Sequence, residues 1–495
     1  MEVQFLGPSF SGRSNAIDPS RCINFYPELN LNPAGKSKTS LIGTPGTSLI
    51  VDCGNGGPVR GLYEFGGVLY IVSGAEVFSW NGSSLAVVGV LATATGPVYI
   101  EDNGLTAYGV GGNQMMIADS VGGYVWNPVT SVFTQVALPN VPISLAFMDG
   151  YFLIAGANSQ TIYASNLYDG TVWPGLAVGN AVSSTGTLTG ITVYDELLFV
   201  FKDNCGEPWY DAGTPPVSLG MPFQKYQGIP INYGVVAPQS VAQGGDFLYC
   251  LGSDGSDVQV IGWSGYTPKP LLPPALANRV SRLPVVSDAI GFTYSDSGHM
   301  FYVLTFPTGN LTLVYDHTTQ MWHERSTYSP NAPRRNPNRW AANCYCYFNG
   351  QHTVGDYQTG QVWAMGSQYY TDCGNPIIST RIAPIMHDKE SCTDLYFYAL
   401  YIDAEVGMGF NPVVTDTDTD MQIPIIGTPK AFLSWSIDGG YTWSNEYEAA
   451  MGQQGQYLTR LIWRRIGGSF NMVFDVTISD PIYKVLVNTF VDVSD

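Results

Sequence analysis

The chain has 495 residues, enough for two or three domains, and 45% of them are hydrophobic, which argues against a disordered protein. Its formal net charge of −19 argues against binding nucleic acid through phosphate contacts and against anionic membranes. With 56 Gly, 32 Pro and 31 Tyr but only 12% charged residues, the composition is typical of an all-β protein with many turns.

We expect no export signal, because MEVQFLGPSF contains neither a basic nor an apolar region. No stretch approaches 18 apolar residues, so we expect no transmembrane helix. The eight cysteines are scattered, which favours free thiols in a protein made in the cytosol. Residues 1–40 are polar and rich in Pro and Asn, and we predict an extended N-terminal arm.

A repeat begins at about residue 41. Alternating apolar runs separated by tight turns recur in RGLYEFGGVLYIVSGAEVFSWNG, ISLAFMDGYFLIAGANSQTIYASN, LTGITVYDELLFVFKDNCGEPWYDAG and SVAQGGDFLYCLGSDGSDVQVIGW. The spacing of roughly 40 to 55 residues is typical of β-propeller blades. We therefore predict a propeller of six to eight blades over residues 41–365, an arrangement that explains the spacing better than two β-sandwiches.

The sequence pattern changes after residue 365. Strands grow longer, the repeat is lost, and residues 366–495 contain 16 acidic and 7 basic side chains, a net charge of −9. We predict a separate C-terminal β-sandwich over residues 366–495.

One motif in this region has the form S-x-D-x-G-x-T-W. We call it the Asp box, and it consists of Ser436, Asp438, Gly440, Thr442 and Trp443. Such a box is a hairpin turn: Asp438 accepts N–H bonds, Gly439 and Gly440 allow the bend, and Trp443 packs beneath it. We predict a structural turn.

The Asp box carries no catalytic group. A sialidase would need several boxes, an arginine cluster and a tyrosine nucleophile paired with a carboxylate. The chain offers one good box and a looser echo in SNLYDGTVW, with Asp169, Gly170 and Trp173. We therefore predict that the protein is not an enzyme and has no catalytic or cofactor-binding residues.

Two stretches contain residue types that can bind metal ions. Cys344 and Cys346 are too close in sequence for a usual zinc pair, which favours an apolar pair on one strand face. Asp416, Asp418 and Asp420 have the spacing of calcium ligands, but Met421 stands where an EF-hand has Gly, which favours a solvated loop. We predict no metal site, with calcium at the acidic loop left open.

The stretch PRRNPNRW contains Arg334, Arg335 and Arg339 in a predicted loop. Arginines beside a tryptophan can bind phosphate or stack on bases. In so acidic a chain, a salt-bridge patch between proteins is the favoured interpretation.

A series of motifs resembles one family. The series runs in order through RCINFYPE, LIGTPGT, LFVFKDNCGEPWYDAG, FQKYQGIPINYGVVAPQSVA, YDHTTQMWHERST, LSWSIDGGYTWSNE and RLIWRRIGGSFNMVFDVTISDP. It resembles the packaged-DNA stabilisation, or tail-hub (nozzle), proteins of short-tailed bacteriophages (podoviruses). One departure is Ser469-Phe470, where the family pattern leads us to expect a basic residue.

The resemblance implies a structural protein of the virion that retains packaged DNA and conducts it during ejection. It implies a hexameric ring below the portal, contacting the portal adaptor or head-to-tail connector, a tail fibre or tailspike, and a tail needle or plug. Double-stranded DNA would pass through the lumen without sequence-specific binding. The alternative from another class is a propeller-based glycan-binding or glycan-cleaving tail protein.

Overall fold

The computed structural model describes residues 5–108, 111–182, 184–228, 231–388, 393–408, 410, 414–415, 422–423 and 427–494. Strands dominate this part of the chain, which contains one short α-helix and one 3₁₀ turn. The prediction of an all-β chain is therefore confirmed. Neither of these helical segments has the length and apolar character needed to cross a membrane.

Four strands precede the propeller sheets. They are β1 (Arg21–Ile23), β2 (Phe25–Leu29), β3 (Thr39–Gly43) and β4 (Gly46–Asp52). Strands β1 and β2 and the start of β3 lie within residues 1–40, for which the sequence predicted an extended arm. These strands are paired in sheets, as described below.

Seven antiparallel sheets follow in the described residues. The first sheet contains β5 (Val59–Phe65), β6 (Val68–Ser73), β7 (Glu76–Trp80) and β8 (Leu85–Val90). The second contains β9 (Val98–Asp102), β12 (Met115–Asp119), β13 (Gly123–Asn127) and β14 (Val132–Val136), and the small hairpin of β10 (Ala107–Tyr108) and β11 (Gly111–Gly112) lies between β9 and β12 in sequence. The third contains β15 (Pro142–Met148), β16 (Tyr151–Gly156), β17 (Thr161–Ala164) and β18 (Val178–Asn180).

The fourth and fifth sheets contain β19 (Leu188–Tyr194), β20 (Leu197–Lys202), β21 (Gly206–Asp211) and β22 (Phe223–Lys225); and β23 (Gly234–Val235), β24 (Ala242–Gly244), β25 (Phe247–Ser253), β26 (Val258–Ser264) and β27 (Thr267–Pro270). The 3₁₀ turn Pro238–Ser240 precedes β24, and helix α1 (Pro274–Ser281) follows β27. The sixth sheet begins with β28 (Ile290–Asp296), β29 (His299–Phe306), β30 (Leu311–Asp316) and β31 (Met321–Glu324), and the seventh with β32 (Ala342–Phe348), β33 (Gln351–Asp356) and β34 (Gln361–Gly366).

The seven sheets close into a ring. Strand β4, from before the first sheet, pairs with β34 and becomes the outer strand of the seventh. The inner strand of the seventh sheet, β32, packs against the inner strand of the first, β5. Closure by an early strand lets the last blade bury its face and seals the ring. A cavity of about 840 Å³ lies on the axis, and it is lined by residues from six of the sheets and by the 3₁₀ turn that precedes β24 of the fifth.

The rest of the chain forms the sandwich. Its strands are β35 (Thr371–Asp372), β36 (Asn375–Pro376), β37 (Ser379–Ile382), β38 (Leu395–Ala404), β39 (Val414–Thr415), β40 (Gln422–Ile423), β41 (Lys430–Ser436), β42 (Tyr447–Ala450), β43 (Leu461–Ser469), β44 (Val473–Ile478) and β45 (Val485–Val493). One face has the order β37-β44-β41-β42, and the other has β2-β3-β45-β38-β43.

Apolar side chains from both faces fill the sandwich core, among them Phe25, Phe397, Trp463 and Phe474. The N-terminal strands β2 and β3 therefore complete the sandwich, whereas β4 completes the propeller. The chain passes from one domain to the other between Gly43 and Gly46. Local alternation predicts strands here but does not show which distant strand each one pairs with.

Candidate functional site: the junction of propeller and sandwich

Strand β1 joins the two domains. Ile23 pairs in parallel with Glu324 of β31, and residues 21–23 pair antiparallel with β37. The sixth propeller sheet and one face of the sandwich are therefore a single sheet of nine strands. We call the charged side chains around β1 the junction; they are Arg21, Arg279, Glu324, Arg334, Arg335 and Asp475.

Glu324 is the centre of the first ion-pair group in the junction. Its carboxylate lies 2.6 Å from Nη2 of Arg21 and 3.0 Å from Nη2 of Arg279, in the last turn of α1. Ser9 donates its hydroxyl to the same carboxylate at 3.0 Å. Burial alone would raise the pKa of Glu324, but the two guanidinium groups outweigh it and hold that pKa well below its usual range. Glu324 therefore ties the N-terminal segment, α1 and β31 together as a buried anion.

Asp475 is the centre of the second group. It is fully buried on β44, and its Oδ2 lies 2.8 Å from Nη2 of Arg334 and 2.6 Å from Nε of Arg335. Both arginines also hydrogen-bond Ser434 on the neighbouring β41. Burial raises the pKa of Asp475, and the two guanidinium groups oppose that rise. The segment between β31 and β32 is thus held against the sandwich by two arginines that pair with one buried carboxylate.

Arg381 fixes the N-terminal segment. It is 2% exposed and donates to the carbonyl oxygens of Phe5 at 2.7 Å, Pro8 at 2.9 Å and Arg21 at 3.3 Å. Three carbonyl acceptors satisfy this guanidinium without a carboxylate. The residues before β1 are therefore bound to β37 of the sandwich.

The Asp box lies between β41 and β42. Asp438 accepts hydrogen bonds from the backbone of Tyr441 and Thr442 and from the hydroxyl groups of Ser436 and Thr442. Those bonds, the one from Ser436 first, hold the pKa of Asp438 well below its usual range. Both oxygens of the carboxylate therefore accept hydrogen bonds from the turn.

The bend and its tryptophan have the geometry of a closed turn. Gly439 and Gly440 have φ values of 76° and 98°, which favour glycine. Trp443 donates its indole N–H to the carbonyl oxygen of Gly440 at 3.1 Å. The central carbon of the Arg335 guanidinium lies 4.0 Å from the centre of the Trp443 ring. The arginine segment and the Asp box thus meet at the junction, although Arg335 and Trp443 are 108 residues apart in sequence.

The looser echo repeats this geometry between β17 and β18. Asp169 accepts the hydroxyl of Thr171 at 2.6 Å and its backbone N–H at 3.0 Å. Trp173 donates its indole N–H to the carbonyl oxygen of Gly170 at 2.8 Å. Both boxes therefore engage their aspartate in turn hydrogen bonds.

The other residues considered from sequence lie elsewhere. Cys344 and Cys346 are half-buried on β32 and pack against a cluster of apolar residues, and burial raises the pKa of Cys346 to about 11. Within the described residues, no group of three or more His, Cys, Asp and Glu side chains could hold a metal ion. Asp416, Asp418 and Asp420 lie outside the described residues. Ser469, at the departure from the family pattern, donates its hydroxyl to the carbonyl oxygen of Ile437 at 3.1 Å.

Sequence reasoning missed Glu324 and Asp475, although both carry a signal. Glu324 ends the short strand MWHE, and Asp475 is the single charged residue of the strand VFDVTI. An acidic residue at such a position is rarely buried without a cationic partner. The pattern could have predicted two buried ion pairs, but not which arginines form them.

Two family models match the chain. The one described as bacteriophage P22 Gp10, beta-propeller, matches residues 20–369, and the one described as bacteriophage P22 Gp10, beta-sandwich, matches residues 396–494. The chain belongs to the bacteriophage P22 Gp10 family. The Gp10-family assignment confirms the resemblance to tail-hub proteins of short-tailed phages and the predicted fold class. It makes the chain a structural protein of a phage virion.

Solved structures resemble this Gp10-family chain only weakly. The extracellular domain of a protein described as a hybrid two-component system from B. thetaiotaomicron is 11% identical, with 76% of this chain and 47% of that one covered and a TM-score of 0.42. The designed protein Ika8 is 11% identical, with 64% and 99% covered and a TM-score of 0.39. The WD40 beta propeller domain of Doa1 is 10% identical, with 65% and 97% covered and a TM-score of 0.39. The chain thus spans about half the length of the first of these proteins, and no curated protein sequence matches it.

Proposed function

We propose that this chain is a subunit of the tail hub, or nozzle, of a short-tailed phage. Six copies form a ring below the portal and its head-to-tail connector, retain the packaged DNA and conduct it during ejection. The ring also carries the tail fibre or tailspike and the needle or plug, and its subunits are made in the host cytoplasm. Membership of the Gp10 family supports a structural role in the virion. The ring of six copies, its partners, its handling of DNA and its place of synthesis are proposals that go beyond family membership.

The observation that carries the proposal is the nine-stranded sheet shared by the propeller and the sandwich. A tube wall that confines DNA has to keep its domains in a fixed relation under load. Backbone hydrogen bonds across β1 and the buried carboxylates Glu324 and Asp475 oppose hinge motion between the two domains. A flexible linker between domains would have suited a receptor-searching fibre better.

The charge of the chain fits a conduit for DNA. A net charge of −19 repels a polyanion, so a wall of this composition would let duplex DNA slide without sticking. We infer that acidic side chains line the lumen of the ring. An electrostatic potential map of the assembled channel with a positive or neutral lumen would overturn this inference.

We also infer that the chain has no enzymatic activity and that both Asp boxes are structural turns. Both oxygens of Asp438 and Oδ1 of Asp169 accept hydrogen bonds within their turns, which favours a structural role for these carboxylates over that of a general acid or a nucleophile. The glycan-cleaving alternative would need such a group.

Mass measurement of the purified chain, alone and with the portal and connector, tests the proposed function. We expect a ring, formed alone or only on the connector, and no change on adding glycans. A chain that stays a monomer or trimer under both conditions and binds or cleaves sugars would contradict the hub assignment and support the glycan alternative.

A further inference from the structure

The axial cavity of the propeller contains a buried arginine without a carboxylate partner. Arg339 follows the junction arginines in sequence, but it points into the seventh blade, where its side chain lines the cavity. It is 6% exposed, and no described carboxylate lies within 4.0 Å of it. Its Nη1 has no hydrogen-bond partner among the described residues. Its guanidinium carbon lies 3.6 Å from the centre of the Tyr357 ring.

The surrounding carboxylates do not compensate this charge. Asp356 uses both oxygens, accepting from the backbone of Gln358 and the hydroxyl of Thr359, each at 2.8 Å. Asp288 accepts the backbone N–H of Thr308, and its other oxygen has no partner among the described residues. Burial lowers the pKa of Arg339 more than these carboxylates and Tyr357 raise it, as expected for a cation that lacks a close counterion.

A second arginine in the same cavity has hydrogen-bond acceptors for its guanidinium group and serves as a comparison. Arg60 is also 6% exposed, and it donates to the carbonyl oxygens of Gly96, Gly74 and Thr93 and to the Thr93 hydroxyl, at 2.7 to 2.9 Å. Arg339 makes no comparable set of bonds. Unlike Arg60, Arg339 therefore has guanidinium N–H donors that can still bind an acceptor.

The cavity is less acidic than the protein around it. Its charged lining residues are Arg60, Arg339, Glu101 and Asp288. Burial, and then the neighbouring Asp102, raise the pKa of Glu101 to about 8. Two arginines and two acidic residues thus line the cavity and their formal charges cancel, in a chain whose formal net charge is −19.

We propose that the axial cavity binds a small molecule through an oxyanion, a carboxylate or phosphate group, held by Arg339. A planar guanidinium matches both groups with paired hydrogen bonds. The apolar and aromatic walls, which include Ile290, Phe292 and Tyr345, fit the uncharged body of such a molecule, and a volume of about 840 Å³ is in the range of small-molecule sites. This inference is independent of the proposed tail-hub function.

The test uses three probes: inorganic phosphate, acetate and the neutral isostere acetamide. The melting temperature of the full chain is measured as each probe is titrated at constant ionic strength, since a ligand that binds only the folded state raises it saturably. The same titrations are made on R339Q and on the control R282Q, which changes an exposed arginine at the end of α1. General effects of the salts cancel in the comparison between variants.

We expect phosphate, acetate or both to raise the melting temperature saturably in the wild type and in R282Q, with no such rise for acetamide. Phosphate alone would identify a phosphorylated ligand, and acetate alone a carboxylate. R339Q should lose the saturable rise. R339K, which keeps the charge but not the planar fork, should weaken binding by about tenfold and serves if R339Q does not fold. A response to neither anion, or an equal response in the Arg339 variants and the wild type, would overturn the proposal.

Discussion

The guanidinium of Arg335 lies over the ring of Trp443, 4.0 Å from its centre. The arginine belongs to the segment that links two propeller sheets, and the tryptophan anchors the Asp box of the sandwich. The same arginine reaches Asp475 at 2.6 Å, so one side chain combines a stacked ring and a buried ion pair. This contact connects the Asp box to the junction of the propeller and the sandwich.

The first prediction concerns the buried ion pair. Removing both Arg334 and Arg335 leaves Asp475 buried without a cation, so the R334A/R335A variant should lose about 3–5 kcal/mol of unfolding free energy. Denaturant unfolding followed by tryptophan fluorescence measures the loss, with R282A as an exposed control. A loss below about 1 kcal/mol would show that the pair contributes no more than a surface contact.

The second prediction concerns the charge of Asp438. Its folded pKa is held below the unfolded value, so its stabilising contribution is present above the usual aspartate pKa and is lost as the pH falls towards the folded value. D438N should therefore lower the melting temperature at pH 7, and the difference from wild type should shrink under acidic conditions. The exposed Asp257 supplies the control, D257N. An equal difference at every pH would rule out the charge as the cause.

The third prediction concerns residues 1–40. Their deletion removes β1 and β2 and leaves Arg381 without its three carbonyl acceptors. We expect the monomer either not to fold or to melt about 10 °C or more below the full chain. Calorimetry of the monomer is the measurement. If the melting temperature stays the same and only assembly fails, the segment serves a neighbouring subunit instead.

The fourth prediction concerns His323, beside Glu324 on β31. It is fully buried, and neither ring nitrogen has a hydrogen-bond partner among the described residues. Burial lowers its pKa to about 3, so between pH 6.5 and 3 the unfolded state binds a proton that the folded state does not. Stability should fall by about 1.4 kcal/mol per pH unit across this window because of His323 alone.

The H323L variant should remove that part of the pH dependence, since leucine has a similar volume and no titration. Unfolding free energies at several pH values between 3.5 and 7 give the slope. H387Q, at an exposed histidine, is the control and should keep the wild-type slope. A wild-type slope in H323L would mean that other groups cause the acid sensitivity.

Much of the fold could be predicted from sequence because its signals are local. Alternation with period two and glycine-rich turns such as Asp149-Gly150 give the strands and their spacing, and these indicate a propeller followed by a sandwich. The pairing of β1 with β37 and of β4 with β34 joins segments more than 300 residues apart. No local pattern encodes such pairings, so the role of the N-terminal segment and the number of blades came only from the structure.

In the candidate site too, local features could be predicted from the sequence and distant contacts could not. The turn geometry of Asp438 and Trp443 depends on residues within one motif and could be read from it. The partners of Arg334 and Arg335 lie about 140 residues away, so the sequence suggested a patch for another protein where the structure has a contact within the chain. Arg339 belongs to the same short stretch, yet it lines the axial cavity of the propeller.

An image of the phage particle at modest resolution tests the central proposal most directly. With the chain located by a fused tag or a bound antibody fragment, the hub assignment predicts six copies in a ring directly below the portal and its connector. Finding the chain only at the tips of the fibres, or not in the virion at all, would contradict it.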